Sequence, residues 1–233
     1  MNNDQLPINK RLRISFSKEG PLRFIGHLDL HHIWQRSIRR AGLPLVYSKG
    51  FHPQPKIQLA SALALGFSSR AEVVDIWIEE NGIQTSDIGE KLQSAVPEGI
   101  AILDVQEVEL GSPALQTQIV SSEYEVTLLD ENPASLISKK LATLMEAKSI
   151  LRPKRVKHKK RKHFTSAPPT YDLRPLILEL EKLPPSKEDN AIRLFMHLSA
   201  REGATGRPDE VLAELGIPIE AVRVERTQLN FAD

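Results

Sequence analysis

The chain has 233 residues, 40% hydrophobic and 26% charged, a balance ordinary for a folded globular protein, so composition excludes long disorder. It contains no cysteine, which excludes disulfides, thiolate zinc sites, a thiol nucleophile and cysteine-ligated iron–sulfur clusters within this polypeptide. The net charge of +1 hides segregation: +7 over residues 1–66, −11 over 67–147, +9 over 148–174 and −4 over 175–233. Blocks of this size predict one or two basic surfaces on a body kept soluble by acidic residues.

In chain order, "KRLRISFSKEG" alternates Leu12, Ile14 and Phe16 against polar residues, the period of a half-buried strand. From about Gly26 the period becomes helical through Ile25, Leu28, Leu30, Ile33, Trp34, Ile38 and Ala41, and Gly42-Leu43-Pro44 is a stop signal. "LPLVYS" and "KIQLASALAL" read as strands flanking the turn-rich "KGFHPQP", and "AEVVDIWIEE" as a further strand. "QTSDIGEKLQSAVP" is a helix with Thr85 or Ser86 as cap, and "GIAILDVQEVEL" a strand. Apart from the additional short strand "LPLVYS", the order is β-α-β-β-α-β, that of a ferredoxin-like unit, an antiparallel sheet with both helices on one face.

"GSPALQTQ" has the composition of a linker, after which a similar order begins again. "SEYEVTLL" is a strand and "NPASLISKKLATLMEAK" a helix, followed by the basic "SILRPKRVKHKKRKHF" and by "YDLRPLILELEKL". Strand "AIRLFMHLSA", helix "GRPDEVLAELGI" and strand "IEAVRVERTQLNF" complete it. The expected architecture is therefore α+β, with two tandem ferredoxin-like (βαββαβ) halves built on antiparallel sheets. The first spans residues 1–112, and the second spans 119–233 with a basic insertion at 152–164.

Three stretches carry candidate chemistry. On the helix, His32, Arg36 and Arg40 stack at four-residue spacing, with Asp29 and Arg39 on the flank. A carboxylate from the acidic strand or an external phosphate would relieve their repulsion, and the planar guanidinium fork suits bidentate phosphate contact. In "YSKGFHPQP", Tyr47, Phe51 and His52 offer flat rings beside Lys49 and Lys56, a combination suited to RNA bases stacked above a phosphate path, or else to a rigid turn with Phe51 packed inward. The third is the run of Arg152, Lys154, Arg155, Lys157, Lys159, Lys160, Arg161 and Lys162, eight cations in eleven residues. That density is a solvated arm with sequence-indifferent, salt-sensitive affinity for polyanions.

His27 and His31 have zinc-compatible spacing, and His32 and His52 could join them, but without the HExxH glutamate or any cysteine the signal is weak and no metal site is expected. His27 or His52 would be the general base if the chain cleaved RNA. No nucleotide-binding or serine-hydrolase motif is present. No segment has the apolar length of a signal peptide or membrane span, so a cytoplasmic protein without membrane contact is expected.

Phe16 to Ile78 resembles the bacterial radical S-adenosylmethionine (SAM)-linked, or DUF2344, family. The matching pieces are Gly26-His27-Leu28-Asp29, Arg36 with Arg39-Arg40-Ala41-Gly42, Tyr47-Ser48-Lys49-Gly50-Phe51-His52-Pro53, Leu65-Gly66 and Glu72…Asp75. Tyr171-Asp172-Leu173-Arg174-Pro175 extends the likeness into the second half. Gly26 stands where the family often has serine. Members occur alone or fused behind radical SAM proteins, and usually lie beside genes for RNA processing or ribosomal proteins. The resemblance implies an RNA-binding accessory protein, for tRNA or rRNA, working with a radical SAM enzyme in RNA modification or processing. The iron–sulfur cluster and SAM would belong to that partner, leaving no cofactor in this chain. A metal-independent RNA endonuclease of ferredoxin-like fold, or a protein-only adaptor for a radical SAM partner, are the alternatives.

Overall fold

The computed structural model describes residues 9–80, 82–129, 134–154, 169–185 and 191–232. It is a mixed α+β protein, mostly antiparallel in its strand pairing, with four α-helices among the described residues. The chain forms two units. The first comprises residues 1–120 together with 225–233, and the second comprises 121–224.

In the first unit the elements are β1 (Asn9–Lys18), α1 (His27–Arg40), β2 (Ile57–Leu59), β3 (Ser68–Glu79), α2 (Thr85–Ala95) and β4 (Ile100–Val108). The strands lie in the order β4-β1-β3-β2 and every neighbouring pair is antiparallel. The period-2 pattern works as expected: Leu12, Ile14 and Phe16 of β1 and Val74, Ile76 and Ile78 of β3 join Leu30, Trp34 and Ile38 of α1 and Ile88 and Leu92 of α2 in one core. At its centre the Phe16 and Trp34 rings meet edge-to-face, 4.8 Å apart. Helix α1 ends as its sequence predicts. Gly42 adopts φ 69° and donates to Arg39 O, while Leu43 N donates to Ile38 O, closing a Schellman turn.

Two expectations are revised. "LPLVYS" forms only isolated bridges at Leu45 and Tyr47, and "KIQLASALAL" keeps just three strand residues, because Pro44, Pro53 and Pro55 remove the ladder donors a longer hairpin needs. "GSPALQTQ" is no loose linker. Leu115 is buried and its amide donates to Gln58 Oε1, while the carbonyls of Ser112 and Pro113 accept from Arg11. Arg11 lies on the sheet face opposite the helices, where Asp75 accepts hydrogen bonds from both Arg11 and Arg13.

The second unit contains most of β5 (Ile119–Leu128), then α3 (Ala134–Glu146), β6 (Leu151–Pro153), β7 (Thr170–Asp172), β8 (Ile177–Leu183), β9 (Arg193–Arg201), β10 (Ala204–Thr205) and α4 (Pro208–Glu214). Strand β9 lies between β5 and β10 and also pairs with β8, always antiparallel. β6 and β7 form a separate two-stranded ribbon, with residues 154–169 between them. The last strand, β11 (Val222–Phe231), starts in this unit, but from Glu225 it belongs to the first, where it pairs in parallel with β3. The division therefore differs from a cut near residue 112, because the chain's final strand returns to β3.

"YDLRP" is a clamp within the second unit. Asp172 Oδ1 accepts from the amides of Ile150 and Arg174, and the Arg174 guanidinium donates to Met145 O, near the C-terminal end of α3, and to Ile177 O. Those two amides hold the Asp172 carboxyl below its ordinary pKa. A depressed carboxylate stabilises the fold fully above its unfolded value and loses that contribution as pH falls through the folded value. Hydrogen exchange at the Ile150 and Arg174 amides should therefore stay slow at neutral pH and accelerate only once the pH drops beneath the usual Asp range. Asp172→Ala should show the faster exchange at every pH.

Candidate nucleic-acid interface

Helix α1 carries Arg39 and Arg40 in its last turn, where cations complement the helix dipole. Arg36, Arg39 and Arg40 are all exposed. The acidic strand does not neutralise them: Glu72 is bonded by Arg226, Asp75 by Arg11 and Arg13, and Glu80 pairs with Lys10. Arg40 donates to the Ala95 carbonyl at the end of α2, and Arg39 donates to the Tyr47 hydroxyl at 2.9 Å. No ion pair involves Arg36, Arg39, Lys49 or Lys56 among the described residues.

The Arg39–Tyr47 bond links α1 to a short hairpin-like loop. Val46 O accepts from Lys56 N, Ser48 N donates to Gln54 O, and the Ser48 hydroxyl accepts from Gln54 N, so residues 48–54 form a closed tip. Gly50 supplies φ 148° there, which a side chain would resist. Phe51 lies at this tip fully exposed, at 103% of its reference area, flanked by exposed Lys49 and His52. An inward-packed Phe51 is thus not what the chain adopts. A large apolar ring held entirely in water on a braced loop has no folding role and is suited to contact.

The basic run divides. Arg152, in the second unit, is taken up by Glu210 and Glu214 at 2.8 and 2.6 Å, which leaves its charge compensated within the fold. Lys154 is exposed at the end of the β6–β7 ribbon, and its amide donates to Pro169 O. Arg155, Lys157, Lys159, Lys160, Arg161 and Lys162 lie outside the described residues.

A second group gathers at the other end of α1. β1 and β3 pair Phe16 with Glu72 but Lys18 with Ser69, so β3 carries one extra residue, a bulge at Arg70–Ala71. That extra residue puts Ser69 and Glu72 on the same face although they are three apart. On its other side Ser69 is paired with Arg226 of β11, so Lys18, Ser69 and Arg226 lie in one row across three strands. All three are buried, at 1%, 0% and 0% exposure. Arg226 Nε and Nη2 both donate to Glu72 Oε1, and Nη2 also reaches Ser61 O at 3.4 Å. The Lys18 ammonium makes no hydrogen bond or ion pair among the described residues, and burial pushes it below the ordinary lysine range against the pull of Glu72.

His27 is the first residue of α1 and faces water. Partial desolvation is the largest influence on its imidazole and, aided by His31 and Arg226, holds the pKa below the ordinary histidine value despite Glu72. His27 and His31 share a helix face, and no group of three potential metal ligands forms among the described residues. His32 lies beside His31, rings 6.2 Å apart, and His52 remains on the distant-in-sequence hairpin tip.

Residues 11–208 match the family model described as an uncharacterized protein conserved in bacteria, DUF2344. The chain belongs to the DUF2344 family. Both groups of side chains in the first unit fall within this span except Arg226, which β11 brings back from beyond it. No curated protein matches this DUF2344 chain. Among solved structures, the crystal structure of a "putative glycine cleavage system transcriptional repressor" covers 97% of this chain and 99% of its own, at 10% identity and a TM-score of 0.23. At that score the likeness carries no argument. No helix among the described residues is long and apolar enough to cross a membrane.

Sequence reasoning missed Lys18 and Arg226 as buried charges, although the signal was present. Each occupies the inward register of its strand, Lys18 after Leu12, Ile14 and Phe16, and Arg226 after Val222 and Val224. A charge where alternation demands an apolar residue marks either a buried pair or a site.

Proposed function

We propose that this DUF2344 protein binds RNA through the C-terminal end of α1 and the 48–54 loop, on a scaffold we read as two ferredoxin-like halves, as the accessory partner of a radical SAM enzyme acting on tRNA or rRNA. The observation that carries the reading is the Arg39–Tyr47 hydrogen bond, which holds uncompensated arginines beside a loop that exposes an entire phenylalanine ring. Cations without carboxylate partners supply phosphate contacts, and exposed Tyr47, Phe51 and His52 supply stacking faces. The radical SAM partner follows from the family resemblance, and it fits a chain with no cysteine to hold a cluster.

The test is fluorescence anisotropy with tRNA, rRNA fragments and unstructured RNA over a salt series. Replacing Arg36, Arg39, Lys49 and Lys56 together by Gln should flatten the slope of log K against log salt by about 3, since each phosphate contact contributes roughly 0.7–0.9. Phe51→Ala should weaken binding about 5- to 150-fold, the loss of one stacked base, without altering the slope. Unchanged affinity and slope in both variants would remove the interface. RNA cleaved by the wild type but not by His27→Ala would replace the accessory role with an endonuclease.

A further inference from the structure

Strand β4 is the outermost strand of the first unit's sheet, paired with β1 on one side and with no strand on the other among the described residues. Gln93 of α2 closes one end of this free edge. Its Oε1 accepts from Ile102 N at 2.7 Å and its Nε2 donates to Ile100 O at 3.5 Å, so a side-chain amide stands where a neighbouring strand's peptide would be. Beyond it, no hydrogen bond other than those to β1 reaches the backbone from Leu103 to Val108 among the described residues. Leu103 is an extra residue of β4 relative to β1 and is 55% exposed. A groove of about 380 Å³ runs between α2 and β4, and Gly89, Glu90, Gln93, Leu103, Asp104 and Val105 are among its walls. Gln93 belongs to both groove and edge, so the two adjoin.

Gly89 lies inside α2, where glycine weakens a helix relative to alanine. A Cβ there would meet only Val105 Cγ2, at an ordinary 3.6 Å, so the fold does not require glycine at this position. What alanine would do is narrow the groove. The surroundings are acidic: residues 84–110 hold Asp87, Glu90, Glu98, Asp104, Glu107 and Glu109, all exposed, against a single lysine, Lys91. Lys10 reaches Glu107 at 3.7 Å, but Glu90 and Asp104 of the groove make no ion pair among the described residues. A bulge and surface charge also guard an edge against chance pairing, but that task calls for neither a helical glycine nor a groove beside the strand. A second copy added edge to edge would set these carboxylates against their own kind, which leaves a cationic chain as the occupant.

We propose that the β4 edge and the α2 groove dock an extended, Lys/Arg-rich segment of a partner protein as an added strand. Main-chain hydrogen bonds to β4 supply affinity, and alternate side chains of the segment enter the groove. Long basic side chains fit it twice over, with stems on Leu103 and Val105 and charges at Glu90 and Asp104.

The experiment titrates the full-length protein into a fluorescent nine-residue peptide of alternating Lys and Val, the length of β4, and follows its anisotropy beside that of the Glu/Val counterpart. The Lys/Val peptide should bind and the Glu/Val peptide should not. Two further versions, N-methylated on either the Lys or the Val amides, keep the charge but each lose one row of donors. Only one of them should retain the parent's affinity, because an added strand turns alternate N–H groups to its neighbour. Glu90→Gln combined with Asp104→Asn should weaken the peptide about 2- to 30-fold. Gly89→Ala should melt higher than the wild type yet bind at least about fivefold more weakly. The docking edge is overturned by a Lys/Val peptide that does not bind, by N-methylated versions that behave alike, or by a Gly89→Ala protein that melts lower or binds as tightly. A concentration-dependent dimer that Gly89→Ala abolishes also overturns it, since a second copy would then be the occupant. The fourfold Gln variant of Arg36, Arg39, Lys49 and Lys56 should bind the peptide as the wild type does, so this edge and the RNA interface can fail separately.

Discussion

Asp75→Ala should destabilise the first unit by about 3–5 kcal/mol, the cost of leaving a buried cation without its counter-charge. Asp75 is 0% exposed and accepts four hydrogen bonds, two from Arg11 and two from Arg13, at 2.6–3.0 Å. Arg11 is itself 1% exposed, stacks over the Trp77 ring at 4.8 Å, and holds the Ser112 and Pro113 carbonyls. Losing the carboxylate would strand that guanidinium and loosen residues 112–118 from the sheet. In urea unfolding the midpoint should fall by more than about 1 M. A triple replacement of Arg11, Asp75 and Arg13 by Met, Leu and Leu should recover much of the loss, because a buried ion group exchanged whole for apolar side chains is often neutral. If Asp75→Ala costs under about 1 kcal/mol, water reaches this triad and screens it.

Trp34→Ala should cost a similar 3–5 kcal/mol, for a different reason. Trp34 is the largest fully buried side chain and fills the space between α1 and β1 against Phe16. Truncation removes its transfer free energy and leaves a cavity bounded by β1 and α1, elements that cannot collapse without disturbing the register of the sheet. Its indole Nε1 is buried with no hydrogen-bond partner among the described residues, so Trp34→Phe gives up no such bond but still leaves part of the ring volume empty, and should cost about 1–3 kcal/mol, less than Trp34→Ala. Equal losses for the two variants, measured by the same urea series, would mean that the indole N–H rather than ring volume holds the core together.

Both effects are invisible to composition but partly visible to pattern. The alternation of Leu12, Ile14 and Phe16 and the helical recurrence of Leu30, Trp34 and Ile38 predict which residues share the core, because backbone period alone sets the facing of a side chain. The helix stop at Gly42 is equally local. The proline-broken segment after it, and the thin strand β2, have the apolar content of full strands but lack the amide donors that a longer ladder needs. "GSPALQTQ" has the residues of a linker, yet it is secured by Arg11, which lies a hundred residues earlier. Nothing in the segment itself announces that.

The sequence by itself determined the α+β order, the absence of cysteine chemistry, the charge segregation and the cationic end of α1, all consequences of composition or of spacing within a dozen residues. Only the tertiary structure decided which carboxylate each arginine meets. It reserved Asp75 for Arg11 and Arg13 and bonded Glu72 to Arg226, left Arg36 and Arg39 without a counter-ion among the described residues, and set Arg226 beside Ser69 although 157 positions separate them. Charges act over a few ångströms of space whatever their separation along the chain, so their partners become definite only when strands pair.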